Sequence, residues 1–122
     1  MTPFGLLLEQ LRRSRGLQQQ QLAGIVGVNS CYISAMERGR KGPPGKEVVE
    51  ALIRVLKLSA EEERELRNVI EQSRQVLKIP ANTAVHEYEL VHSLWKRLGS
   101  LSKEETQLIL LSLKINHRTG GV

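Results

Sequence analysis

The 122-residue chain contains no aspartate, a single cysteine and few aromatic side chains, 3% of residues. Each scarcity excludes something. Without aspartate the stock of paired carboxylates is thin, and no serine–histidine–acid or phosphate-loop pattern occurs, so no enzyme is expected. One cysteine cannot form an internal disulfide, which fits a reducing cytoplasm. No apolar run approaches the roughly 20 residues that span a bilayer, and no charged start followed by an apolar block marks an export signal. No membrane partner and a cytoplasmic location are therefore expected. With aromatics scarce, a hydrophobic share of 40% leaves the interior to Leu, Ile, Val and Ala, the composition of a helical protein.

What charge there is has an uneven distribution. Residues 1–58 carry nine Lys/Arg against four Glu, and residues 59–122 carry nine of each. The whole excess of +5 lies in the first half. A basic segment joined to a neutral one points to a polyanionic partner for the first only. Ordinary solubilising charge is the plainer alternative, and charge alone favours nucleic acid only weakly.

The basic half is organised around Gln18 to Lys41, which reads as two short helices about a tight turn. The first covers Gln19 to Val26, with Leu22, Ala23 and Val26 on one face. Gly27-Val28-Asn29 turns the chain, glycine supplying the left-handed conformation that ends a helix. Asn29 offers a side-chain oxygen to cap a second helix from about Ser30 to Arg38, with Ile33 and Met36 inward. This is a helix-turn-helix pattern, whose second helix enters the major groove of DNA.

Around it the chain reads as helices throughout. Thr2-Pro3 opens the first, with Phe4, Leu7, Leu8 and Leu11 as its core stripe, and Gly16 ends it. Arg13 and Arg15 read as solvent-exposed, and the stem of Arg12 as packed on the core edge. Glu37 to Gly45 is a basic, irregular loop with two prolines and three glycines, suited to phosphate contact. A fourth helix starts at Pro44 or Gly45, with Val48, Leu52, Val55 and Leu56 inward. Ser59 to Glu62 is a capping box for a fifth, which carries Leu66, Val69, Ile70, Ser73, Val76 and Leu77. Domain boundaries follow: 1–77, a linker at 78–82 set by Pro80, a helical region at 83–117 and a flexible tail at 118–122. Within 83–117 one helix ends at Gly99, and a second capping box, Ser102 to Glu105, opens a last helix from Lys103 to about Asn116.

With these residues in place, Leu11 to Leu58 resembles the XRE, or phage Cro/repressor-type, helix-turn-helix family. The likeness rests on Leu17, Gln19, Leu22-Ala23, Gly27-Val28, Tyr32-Ile33-Ser34, Glu37-Arg38-Gly39, Leu52, Leu56 and Leu58. With the first and fifth helices it spans roughly residues 4–77. The resemblance implies a five-helix Cro/repressor-like domain; with the two C-terminal helices read from the residue pattern beyond Pro80, the expected fold is all-α. It implies a phosphate contact from Gln19 and base-edge or phosphate contacts from Ser30, Cys31, Tyr32 and Ser34, with Asn29 beside them. Arg38, Arg40 and Lys41 match the loop that grips the DNA backbone, and Arg12 and Glu37 match a partly buried structural ion pair. Three departures stand out, one of them the Gly42-Pro43-Pro44-Gly45 loop, which is glycine-rich for the family. Gln18 occupies the position of the usual Ser or Thr cap, and the recognition helix lacks a first-turn Gln, Asn or Arg for bidentate base reading. Direct readout is therefore expected to be modest, with groove shape contributing more.

The implied function is a sequence-specific transcriptional regulator, a homodimeric repressor on a palindromic operator in double-stranded DNA. Tyr88, Val91, Leu94, Trp95, Leu98, Leu108, Leu111 and Ile115 are the expected dimerisation residues, aromatic anchors among them. The alternatives are a monomeric core completed by these helices, or an antitoxin-type protein whose C-terminal helices bind another protein. No cofactor is implied. His86, Glu89 and His92 follow at two steps of three on a helix, which puts the two histidines about 120° apart, so no metal site is expected. Cys31 near a helix N-terminus is a candidate redox switch, but no charged neighbour in sequence assists the thiolate. A small residue tolerated in the recognition helix is the preferred reading.

Overall fold

The computed structural model describes residues 1–119, with side-chain surroundings through residue 115. Among the described residues there are only helices: α1 (Pro3–Ser14), α2 (Gln19–Val26), α3 (Ser30–Arg38), α4 (Lys46–Val55), α5 (Ala60–Gln72), α6 (Val85–Arg97) and α7 (Lys103–Thr119). No described helix is long and apolar enough to cross a membrane. The chain divides into two compact units, Met1–Leu77 and Lys78 onward.

In the first unit four of the five helices start where a side chain bonds free backbone groups, and α4, which follows Gly45, has no such cap. Thr2 Oγ1 accepts from the Gly5 N–H at 3.0 Å. Ser59 and Glu62 exchange two bonds at the head of α5, of 3.1 and 2.9 Å. Gln18, which departs from the usual cap, is served differently: its N–H donates to Gln21 Oε1 at 2.7 Å. Phe4, Leu8, Leu22, Ile33, Met36, Leu52, Leu56 and Leu66 fill one apolar core. α1 packs on α3 and α5, and α2 on α3 and α4. In α4 the fully buried valine is Val49, and Val48 and Val55 are half-buried at the core edge.

The closest approach in this unit is made by a glycine inside a helix. A methyl group on Gly5 would lie 2.3 Å from the Met36 carbonyl oxygen and 2.8 Å from that of Glu37. The missing side chain lets the first turn of α1 rest directly on the last turn of α3.

Three sequence expectations need correction. α5 stops at Gln72 and does not run to Leu77. Val76 and Leu77 are 84% and 72% exposed, outside the core that their spacing assigned them to. Where α5 stops, the Ser73 hydroxyl donates to the Val69 carbonyl at 2.6 Å, and the backbone leaves the helix after Gln72. Second, Arg15 is not a free surface charge. Its guanidinium meets both Glu62 oxygens, at 3.1 and 2.9 Å, and its Nε–H donates to the Leu56 carbonyl at 2.9 Å. Third, α7 continues to Thr119, since Asn116-His117-Arg118-Thr119 contains neither glycine nor proline. The tail expected from 118 is thus helical at 118–119, and its remainder, 120–122, lies outside the described residues.

The second unit has capped helices and almost no interior. The Ala84 N–H donates to Glu87 Oε1 at 2.8 Å, and Ser102 and Glu105 cap α7 reciprocally at 3.0 Å. Arg97 pairs with Glu105 at 2.8 Å. No residue of α6 is fully buried. Tyr88, Val91, Trp95, Leu98, Leu108, Leu111 and Ile115 are all exposed, Trp95 to 70%, and Leu94 is half-buried.

Candidate nucleic-acid interface

The turn between α2 and α3 is built by two residue types with separate tasks. Gly27 closes α2 at φ 90°, a left-handed conformation costly for side-chain-bearing residues, and its N–H returns to the Ala23 carbonyl. Asn29 Oδ1 then accepts from the Cys31 N–H at 2.8 Å, opening α3. Behind α3, Ile33 and Met36 are completely buried against Leu22 and Ala23. In front, Asn29 and Cys31 are exposed, and Ser30 and Ser34 are half-exposed. Tyr32 leans on the core edge, so much of its ring is committed to packing.

The far end of α3 is clamped. Arg12 Nε and Nη2 donate to the two Glu37 oxygens at 2.7 and 3.0 Å, and Arg12 Nη1 donates to the Leu17 carbonyl at 2.8 Å. Arg12 and Glu37 are only 7% and 4% exposed. The hydrogen bonds from Glu37 hold the Arg12 guanidinium above its ordinary pKa, against the opposing effect of burial. Gln19 joins this group: its Nε2 donates to Glu37 Oε1 at 2.9 Å. The amide that the sequence assigns to a phosphate is thereby oriented by Glu37, with one N–H still free to donate.

Beyond α3 the backbone is pinned although the sequence there looks irregular. Gly39 takes φ 81°, and the N–H groups of Arg40 and Lys41 both reach the Ala35 carbonyl, at 2.9 and 3.2 Å. Arg38, Arg40 and Lys41 are exposed. None of these three has a carboxylate within ion-pair distance among the described residues, whereas Arg12, Arg15, Arg67 and Arg97 are each paired. A polar helix start and a fixed, uncompensated basic turn are thus supported on one rigid, apolar base. Sequence reasoning missed two supports of this arrangement, Gly5 and Ser73. The signal for Gly5 was a glycine inside a strongly amphipathic helix, which needs a packing reason. Among the described residues, no three His, Cys, Asp or Glu side chains are grouped to hold a metal ion.

These features define a helix-turn-helix protein of the Cro/repressor type. The model of the helix-turn-helix domain family matches residues 3–66, and the chain belongs to that family. It is 43% identical over 61 residues to the Bacillus subtilis (strain 168) HTH-type transcriptional regulator RghRB, itself described as uncharacterized; the match covers 50% of this chain and 44% of that protein. It is 38% identical over 61 residues to the HTH-type transcriptional repressor RghR of the same organism, covering 50% and 45%. The chain therefore matches less than half the length of either relative. A solved SinR protein/SinI protein complex aligns with 94% of this chain and 98% of the chain compared, at TM-score 0.46 and 21% identity.

Proposed function

We propose that the chain is a sequence-specific transcriptional regulator, a homodimeric repressor that inserts α3 into the major groove of a palindromic operator. The observation that carries this reading is the basic turn. Arg38, Arg40 and Lys41 are exposed and unpaired among the described residues at the end of a helix whose polar start is also open. Cations left without carboxylates beside a groove-sized helix are suited to phosphates. Ser30, Cys31, Tyr32 and Ser34 supply few bidentate base contacts, so groove shape carries much of the specificity. In this reading residues 1–77 bind DNA, 78–82 link, and 83–117 join two copies in the cytoplasm. Occluding a promoter requires no catalysis. A second reading, a regulator whose C-terminal helices bind a different protein, is favoured by the same exposed leucines of α6 and α7.

Selection of bound sequences from random duplex DNA, followed by salt-titrated binding, tests the proposal. A two-fold-symmetric consensus is expected. Arg40→Ala should weaken all sequences alike and reduce the salt slope by about 1, and Ser34→Ala should alter preference among sites. Binding without any sequence preference would overturn the regulator reading.

A further inference from the structure

We propose that Ser73 is a positioning residue for DNA binding, a latch that seats α1 against the end of α3 and so fixes the basic turn. The inference rests on α3 and that turn being the DNA-contacting surface. Ser73 is 4% exposed at the C-terminus of α5, and its hydroxyl accepts from the Phe4 N–H at 2.8 Å while donating to the Val69 carbonyl at 2.6 Å. The bond to Phe4 joins residues 69 apart in sequence. It satisfies a donor of the first helical turn that no residue nearby in sequence caps, since Thr2 serves Gly5.

The opposite side of that same turn bears on α3. Gly5 faces the carbonyls of Met36 and Glu37, and a methyl group placed on Gly39 would lie 2.7 Å from Met1 Cα. The start of α1 is therefore wedged between Ser73 on one side and residues 36–39 on the other. Arg38 stands between these residues in sequence, and Arg40 and Lys41 follow, held through Ala35. Three further bonds, two from Arg12 and one from Gln19, also fix Glu37. Met1, just ahead of α1, lies against Gly39, where the chain leaves the helix. Freed from Ser73, the first turn of α1 would have an unpaired buried donor and no lateral stop. The turn that presents three cations would lose its backing. A close-packed contact of backbone on backbone transmits such a shift because it has no flexible side chain to absorb it.

The test uses the full chain. In the wild-type protein, native-state hydrogen exchange should show the Phe4, Gly39, Arg40 and Lys41 amides opening together, with one dependence on denaturant. In Ser73→Ala these amides should exchange faster as a group, and operator affinity should fall about fivefold or more. The salt slope should become shallower as phosphate contacts are lost. Ser14→Ala, which removes a hydroxyl-to-carbonyl bond at the other end of α1, should leave all of these unchanged. A merely stabilising serine would speed exchange uniformly and leave affinity intact well below the unfolding temperature; that result overturns the latch. So does independent opening of Phe4 and Arg40 in the wild type, a measurement that holds even if Ser73→Ala fails to fold. Failure of the wild-type chain to bind any duplex would sink the proposed function instead, and the exchange experiment, which contains no DNA, separates the two failures.

Discussion

Arg12 and Glu37 show how a single residue can look functional and be structural. Both are charged, Glu37 in the recognition helix and Arg12 in α1 beside it, and both are almost wholly withdrawn from water. Their pairing at 2.7 and 3.0 Å is completed by Gln19 and the Leu17 carbonyl, so no charge is left unanswered. Removing one partner strands the other. Arg12→Met is expected to cost about 3–5 kcal/mol in urea unfolding, and an Arg12→Met/Glu37→Leu double variant distinctly less. Equal losses in the single and double variants would refute that account. At this scale the sequence was legible where chemistry is local. The Asn29 cap, the glycine turns and the Ser59–Glu62 box follow from neighbours three or four residues apart. The Arg15–Glu62 pair was not legible because the partners lie 47 residues apart. Gly5 drew no reading from the sequence, because the carbonyls it makes room for belong to α3.

Among the elements, α1 and α5 are joined by an ion pair that depends on pH. Bonds from Arg15, and then from the Ser59 backbone, bring the Glu62 carboxyl from an ordinary 4.5 to about 2. A folded-state pKa below the unfolded value contributes stability that is complete above about pH 4.5 and fades as the pH falls toward 2. Unfolding midpoints should therefore drop across that window, and Glu62→Gln should flatten the drop while lowering stability at neutral pH. An unchanged acid limb in the variant would assign the effect to other carboxylates. Glu105, bonded to Ser102 and Arg97, is shifted in the same direction in the second unit, so some slope should persist. Helix existence was legible from apolar spacing for all seven elements. Helix ends were less so. α5 lacks glycine and proline before Pro80, so nothing in its local sequence marks the end at Gln72.

As a whole, the molecule couples a unit with a dense core to one with almost none. The first could be read from sequence because a self-contained core leaves its stripe on every helix. The second could not, because its apolar residues face outward on more than one side and pattern alone does not name what covers them. If a second copy covers them, the wild-type chain should sediment as a dimer at micromolar concentration and Trp95→Ala should shift it toward monomer. A wild-type chain that stays monomeric both on and off DNA would leave a different protein as the partner. Trp95 is also the single tryptophan of the chain, 70% exposed in α6 with the His92 ring 6.2 Å from its own. Tryptophan fluorescence from this protein is consequently a signal from the second unit alone. Its emission colour gauges whether α6 is wet or covered, undiluted by any indole in the unit that carries the helix-turn-helix.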